Sequence, residues 1–598
     1  MQQQNFLGRW YQAYEQQRLK TGIITAIALG FLGVMSFLWN LGSTGLVDET
    51  EPMFAEAARE MLATGDWITP YYNQNFRFDK PALVYWLMAI SYKIVGVNAW
   101  GARLPSALAA IALMVMLFFV LKRFGFPTAD AAAEPEKALT QRKLWLAGWI
   151  GSALFALNFQ NLVWGRSGVS DMLLNACMGA GLISFFYGYA TGGKAINRWL
   201  PNGWYLLSYA CLGLAVLTKG PVGIALPGLI IIAFLVYLGR FWSVFLEAKP
   251  LVGAVVFSVV AIPWYVLVIL KNGQTYIDAF FGYHNFDRFT GVVNGHDAPI
   301  YFYFPVVLIS FIPWSVFIPA AIARLKLHHI QEWRQQPRHA HLGLFACTWF
   351  VVIFVFFTIA VTKLPSYTLP LLPAASILVA LLWSQMIHEP QQPSKFFWWS
   401  SAVNVLFLVI LAVFLYISPR LIGYDPAAPN LDQDFADSLI PELGAVLWAI
   451  AALGGILCLF ALKSRLGLLI TNVITFTLFI SCVLIPTSSF LDQHRQAGLR
   501  DIANGIKTLR QPQEEVVMIG FEKPSLVFYS EQHIQFFNLR SQAIDYIYEH
   551  QKESNDTILV IGKDNFLDDF SANHPQVQIL TEGFPYKLVR LSKATPPR

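Results

Sequence analysis

The sequence predicts a polytopic α-helical membrane protein with a small C-terminal α/β domain, and three observations predict it. Apolar runs of about 20 residues, the length that crosses a bilayer, recur from Thr21 to Pro486. The chain is 56% hydrophobic and only 13% charged over 598 residues, against about 25% charged in a soluble domain. Beyond Pro486 the texture changes to short apolar runs separated by polar stretches.

The first run, Thr21 to Leu41, follows a polar head and ends in no small-residue cleavage site, so it reads as a retained span. Lys and Arg mark cytoplasmic loops. Arg9, Arg18 and Lys20 place the head (1–20) inside, and Lys122, Arg123, Lys137, Arg142 and Lys143 place the next basic loop inside. Both hold only if one span separates that loop from the segment after the first span. We therefore read 81–95 as an interfacial helix and 102–121 as the second span, leaving 42–101 as an outer loop. Further spans are expected near 144–163, 171–190, 204–218, 221–238, 251–270, 300–322, 342–361, 366–387, 397–418, 441–462 and 467–486. The total is about thirteen, an odd number, which puts residues 487–598 on the outer face.

In that tail, Glu515–Gly520 and Thr557–Gly562 read as buried strands, Tyr586–Leu591 as an edge strand, and 496–510 and 540–552 as helices. The domains are thus the head, a membrane domain over 21–486 and an outer α/β domain over 487–598. The net charge of +5 is small and calls for no nucleic-acid partner. The five cysteines all lie in apolar runs without metal-ligand spacing, so neither a disulfide framework nor a cysteine metal site is expected.

The chemistry concentrates in the outer loops. Asp48-Glu49-Thr50-Glu51 places three carboxylates in four residues, followed by Pro52, which suits the first turn of a helix running to about Ala63 with Gly65 past its end. The helix dipole favours charged carboxylates there. Capping by Thr50 or Asp48, with hydrated glutamates, is the alternative. Lys80, in Phe78-Asp79-Lys80-Pro81, either meets an anionic head group or snorkels. Lys219 stands at the tip of the turn Leu217-Thr218-Lys219-Gly220-Pro221, a phosphate site or a plain hairpin. Asp171 opens a span after Arg166 and is either a site residue or Arg166's ion-pair partner. His284 and Arg288 lie in an aromatic-rich loop, where Arg288 is either a bidentate phosphate ligand or a solvated arginine. Lys363, four residues before Tyr367, repeats the lysine-at-a-turn arrangement. Several cations facing carboxylates in one compartment need a common anionic ligand or mutual pairing.

Together these segments resemble the lipid-dependent glycosyltransferases of the C-type superfamily, in the branch containing protein O-mannosyltransferases and the bacterial aminoarabinose–lipid A transferase. The matching text is Leu46-Val47-Asp48-Glu49-Thr50-Glu51, Phe54 to Met61, Gly65-Asp66-Trp67, Asp79-Lys80-Pro81, Tyr85-Trp86-Leu87, Arg103-Leu104-Pro105-Ser106, Leu217 to Pro221 and Lys363 to Tyr367, in order and at matching spacing. The resemblance implies a polyprenyl-phosphate sugar donor, transfer on the outer face to a lipid, glycan or protein acceptor, and Lys80, Asp171, Lys219 and Arg288 lining the donor pocket. Thr50 stands where the aminoarabinose branch carries Asp, Met53-Phe54 where it carries Arg-Tyr, and His284-Asn285 where a Glu-His pair precedes the loop arginine.

The expected activity is an inverting sugar transfer at the outer face of a bacterial plasma membrane. Asp48 and Glu51 are its catalytic carboxylates and Lys80, Lys219 and Arg288 its phosphate clamp. Glu49, Asp171, His284, Lys363 and Tyr367 position substrates. A divalent cation at Asp48 and Glu51 is compatible with two carboxylates, but no His/Cys/Asp spacing demands one. A transporter or flippase of the lipid-linked sugar is the rival reading, since it also needs cations for a phosphate, yet it predicts charges at mid-membrane depth. A scaffold presenting the tail accounts for the tail and leaves the outer-loop cluster without a role.

Overall fold

A computed structural model describes residues 18–127, 134–192, 196, 199–280, 282, 298–389, 395–425, 428–553, 557–563, 567 and 577–591. Among these residues nine helices are long and apolar enough to cross a membrane, or eleven if two bent pairs each count as one span. The expected thirteen is not reached on that criterion. The difference lies in Gly203–Lys219 and Val222–Leu238, each 17 residues. At 1.5 Å per residue they extend about 25 Å, short of a hydrocarbon core of about 30 Å. They form a hairpin closed at Gly220 (φ +86), with Gly223 so near the preceding helix that a Cβ would meet the Ala215 carbonyl carbon at 2.5 Å. Small residues at helix contacts allow this approach.

Both bent pairs have local causes. The expected span 144–163 turns through 64° between Ala156 and Phe159. There Asn158 ends one helix by donating to the Leu154 and Phe155 carbonyls and starts the next by accepting from Asn161 N at 3.0 Å. The expected span 300–322 breaks by 113° between Ser310 and Ser315, around Pro313, which lacks a donor. The membrane core packs around fully buried Trp314, Trp349 and Trp383. The first two satisfy their indole N–H groups on the carbonyls of Leu157 and Pro370, each at 2.8 Å.

The first outer loop holds the two expected interfacial helices, Thr50–Thr64 and Leu83–Val95, joined through a two-stranded hairpin, β1 (Tyr71–Tyr72) and β2 (Asn75–Phe76). Gly65 ends the first helix at φ +73. Asn73 and Gln74 turn the hairpin at φ 52 and 66, as a two-residue mirror-type turn requires.

The last membrane helix continues to Arg495 and the tail starts at Ala497, so the expected boundary at 487 falls inside a helix. The tail is a five-stranded sheet in the order β4-β3-β5-β7-β6, built from β3 (Glu515–Ile519), β4 (Gln535–Phe537), β5 (Ile558–Lys563), β6 (Val577–Gly583) and β7 (Tyr586–Leu591). The first three run parallel and β7 is antiparallel to both neighbours. The expected edge strand Tyr586–Leu591 is therefore interior: β6, which the sequence pattern does not reveal, covers it. Helices Ala497–Leu509 and Arg540–Glu553 match the expected ones, while the short helix Pro524–Ser530 is new.

The tail touches the first outer loop directly. Leu46 N donates to Tyr529 Oη at 2.8 Å, Tyr72 Oη donates to Glu522 at 2.9 Å, and Asn73 exchanges hydrogen bonds with the backbone of Ile534 at 2.9 and 3.1 Å. Loop and tail therefore share a membrane face, and the number of spans between them is even. The basic loops meet elsewhere. Lys143 pairs with Glu389, Arg465 caps the Met386 carbonyl, Arg338 pairs with Glu247 at 2.8 Å, and Gly125 N donates to the His339 carbonyl.

Candidate active site

Asp48 and Glu51, three residues apart, enter different environments. Glu51 is buried and gripped by the Arg103 guanidinium through two bonds of 2.8 Å, while Gly168 N and Val47 N donate to its two oxygens at 2.6 and 2.9 Å. Each oxygen thus accepts two donors. Burial alone would raise its pKa, but Arg103 and the two backbone donors overcome burial and hold it below the ordinary 4.5. Arg103 also donates to the carbonyls of Leu41, Thr44 and Gly45, at 3.0, 3.0 and 2.7 Å. This ion pair folds the chain between the first span and the interfacial helix. Arg103 carried a signal in sequence, as an arginine at the start of an otherwise apolar span.

Asp48 instead faces the tail. Its Oδ1 accepts from Ser525 N at 2.8 Å and its Oδ2 from Ser525 Oγ at 2.6 Å. Burial raises its pKa above 3.8, against the lowering effect of those two bonds and of Lys523. Glu49 is exposed. The first interfacial helix has no side-chain cap, so neither Thr50 nor Asp48 serves as one. The paired cation site imagined at Asp48 and Glu51 does not fit: both Glu51 oxygens are committed, and no group of three His, Cys, Asp or Glu side chains gathers among the described residues.

The lysine turns form a second centre. Lys219 Nζ donates to Asp171 Oδ1 at 2.8 Å and lies 5.9 Å from the centre of the Tyr367 ring. Asp171 thus pairs with Lys219 rather than with Arg166, which donates to the Ser36 carbonyl at 3.3 Å. Tyr367 is placed by the segment Lys363–Tyr367. Gln160 donates to the Pro365 carbonyl at 2.6 Å, Thr368 Oγ1 donates to Gln160 Oε1 at 3.1 Å, and Tyr303 Oη meets the Leu364 backbone at 3.2 Å. Gln160, Thr368 and Tyr303 are supports that the sequence reading missed, as residues of apolar stretches without any motif. Lys363 turns back onto the Ala360 carbonyl at 2.7 Å and is buried.

Lys80 belongs to a third group that leans on the second. It lies 3.6 Å from Asp79, which also pairs with Arg77 at 3.0 Å and accepts from Tyr85 Oη at 3.1 Å. The preceding Phe78 and the following Ala82 share one apolar cluster with Leu217, two residues before Lys219. Tyr72 connects this group to the first centre, because both the Arg77 cation and the Asp48 carboxylate act on it. The described residues thus bring together Asp171, Lys219 and Tyr367, with Lys80 and Asp48 reached through neighbours. His284 and Arg288 lie outside the described residues.

Comparison with known proteins agrees with this architecture. Two family models described as dolichyl-phosphate-mannose-protein mannosyltransferase match residues 79–134 and 137–272, and the cyanobacterial RgtA-type glycosyltransferase C-terminal domain matches 509–596. The undecaprenyl phosphate-alpha-4-amino-4-deoxy-L-arabinose arabinosyl transferase 2 of Proteus mirabilis is 30% identical over 60% of this chain and 59% of its own length. The match therefore covers less than two thirds of that relative. An uncharacterized Aquifex aeolicus protein is 32% identical over 57% of this chain and 68% of its own length. The crystal structure of ArnT from Cupriavidus metallidurans bound to undecaprenyl phosphate superposes with a TM-score of 0.75 at 22% identity, covering 96% of this chain and 100% of ArnT. That likeness establishes a shared fold across membrane domain and tail. The chain belongs to the C-type lipid-dependent glycosyltransferases, in the branch that joins the protein mannosyltransferases to the aminoarabinose transferases.

Proposed function

We propose that the protein moves a sugar from a polyprenyl-phosphate donor to an acceptor at the extracytoplasmic face of the membrane in which it is embedded. The observation that carries this reading is the half-open corner of Lys219, Asp171 and Tyr367 on the loop-and-tail side, opposite the basic loops. Lys219 spends one donor on Asp171, and an ammonium has three. The names of the arabinosyl transferase relatives supply the donor class, undecaprenyl phosphate carrying a sugar.

In the proposed step the bond between the anomeric carbon and the phosphate oxygen breaks, and the acceptor oxygen bonds to that carbon from the opposite side, inverting it. The electron pair leaves on the lipid phosphate, where Lys219 and Lys80 offset the charge. Donors aimed at developing charge are each worth about 10²- to 10³-fold. The acceptor proton passes to Asp48, a base contributing about 10²- to 10⁴-fold. A carboxylate lifted by burial suits that role better than Glu51, whose lone pairs are occupied. Glu51 then shapes the loop, and Lys363 holds the turn bearing Tyr367.

The test is reconstitution of the full chain in liposomes with undecaprenyl-phosphate-linked pentoses and hexoses and extracted envelope lipids, glycans and proteins as acceptors. Release of undecaprenyl phosphate together with a glycosylated product supports the reading. Passage of the intact lipid-linked sugar across the bilayer without bond cleavage supports a flippase and sinks it.

A further inference from the structure

The tail has no assigned task, yet its contact with Asp48 is specific. Both carboxylate oxygens of Asp48 are held by one residue, 477 positions away in sequence, through its amide and its hydroxyl. The flanking backbone is held by the same region. Tyr529 Oη accepts from Leu46 N at 2.8 Å, and Asp492, itself fixed by Nη1 and Nη2 of Arg500 at 2.7 and 2.8 Å, accepts from Gly45 N at 2.9 Å. Phe528 enters the apolar cluster formed by Leu46, Phe54 and Ala58 under the interfacial helix. The loop Gly45–Asp48 is thus held by partners at and beyond the end of the last span as well as by Arg103 and Glu51.

We propose that the tail domain is a working part of the active site, in which Ser525 is the positioning residue that orients the Asp48 carboxylate and Tyr529 holds the loop bearing it. This rests on the reading of Asp48 as the acceptor base. A carboxylate with one oxygen on an amide and the other on a hydroxyl cannot rotate freely, so its remaining lone pairs point in fixed directions. The arrangement also sets its charge. Burial and Glu49 push Asp48 toward the neutral form, while Ser525 and Lys523 favour the anion; Tyr72 and Tyr586 also face it. Removing the hydroxyl leaves burial less opposed, so Asp48 protonates at higher pH.

The full chain carrying Ser525→Ala is compared with wild type by two readouts. In the first, dicyclohexylcarbodiimide, which couples to protonated carboxyl groups, labels the membrane-embedded protein across a pH series, and mass spectrometry reads adduct at Asp48. The labelling midpoint is expected to rise by about one pH unit in Ser525→Ala, the scale of losing one charge-assisted hydrogen bond. In the second, transfer from whichever undecaprenyl-phosphate sugar supports turnover falls about tenfold, as misplacement of a reacting group predicts, with donor KM unchanged. Ser530→Ala is the control. Ser530 is buried in the same short helix but donates to the Leu526 carbonyl and has no bond to Asp48, so neither readout should move. A wild-type midpoint in Ser525→Ala, or an equal shift in Ser530→Ala, overturns the inference. Asp48→Asn separates the two layers: full transfer by that variant removes Asp48 from the chemistry and overturns the proposed base together with this inference. Loss of transfer in Asp48→Asn beside unchanged Ser525→Ala overturns the inference alone.

Discussion

Two ion pairs on the same face of this protein differ in how far they are finished. In the Glu51–Arg103 pair both side chains are 5–6% exposed, and each carboxylate oxygen accepts two donors. In the Lys219–Asp171 pair the side chains are 20% and 15% exposed, joined by one hydrogen bond, with the Tyr367 ring alongside. A fully satisfied pair has nothing left to offer a ligand, and breaking it strands a buried charge. A partly satisfied pair can take a phosphate on its spare donors while its existing bond stays in place, so no charge is left uncompensated. The first pair therefore holds the loop and the second keeps donors for an anion, although both contain the same kinds of group.

The sharpest way to break this comparison is at the finished pair. Arg103→Met leaves Glu51 buried without its cation and frees three carbonyls, so stability should fall by about 3–5 kcal/mol, the usual cost of orphaning one partner of a buried pair. Thermal unfolding followed by size-exclusion in detergent reads this, and a melting temperature equal to wild type would reassign the pair. The pH dependence has a definite sign. Glu51 has a folded pKa below its unfolded value of 4.5, so its contribution is fully present above pH 4.5 and is lost as pH falls through the folded value. Glu51→Gln should remove that part of the acid sensitivity and leave a flatter profile of melting temperature below pH 4.5.

At the unfinished pair the expected effect moves from stability to turnover. Lys219→Met should keep the melting temperature within a few degrees while transfer falls about 10²- to 10³-fold, the loss typical of one donor to developing charge. Unfolding in this variant with no loss of specific activity in the surviving fraction would make Lys219 a structural residue like Arg103. Asp171→Asn comes next. The amide oxygen still accepts from Lys219 but no longer fixes it by charge, so transfer should drop about tenfold. A drop as large as that of Lys219→Met would give Asp171 a role of its own in the chemistry.

How much of this contrast was legible in the chain depends on whether a feature is local. The interfacial helices and three of the five tail strands follow from period, length and punctuation over a few residues, and they appear where expected. Lys219 and Asp171 each read as a site candidate with a structural alternative beside it, because 48 residues separate them and only packing shows that they pair. Glu51 reads as a site residue because it stands in an acidic run. Its partner Arg103 is 52 residues away and Gly168 is 117 away, so its satisfaction is a tertiary fact. The same holds for Ser525, one serine in a tail whose register with the first loop no local pattern encodes. The strand Tyr586–Leu591 reads as an edge for a related reason: alternation reports one buried face, and it says nothing about whether a second strand, here Val577–Gly583, lies beyond it.

The smallest change tests the finest part of the contrast, the ring beside the lysine. A cation near an aromatic face is stabilised by the ring's quadrupole, worth about 0.5–2 kcal/mol depending on exposure. Tyr367→Phe keeps that face and deletes only the hydroxyl, so transfer should change by less than about twofold. Tyr367→Leu removes the face at similar bulk, and by the same interaction energy it should cost between about 2-fold and 30-fold. If the ring acts on the lysine's charge, the two variants must separate in this order, and the Leu variant's loss should fall largely on kcat, where charge on the departing phosphate is greatest. If Phe costs as much as Leu, the hydroxyl rather than the ring is what the substrate meets, and Tyr367 joins the groups that contact the donor directly.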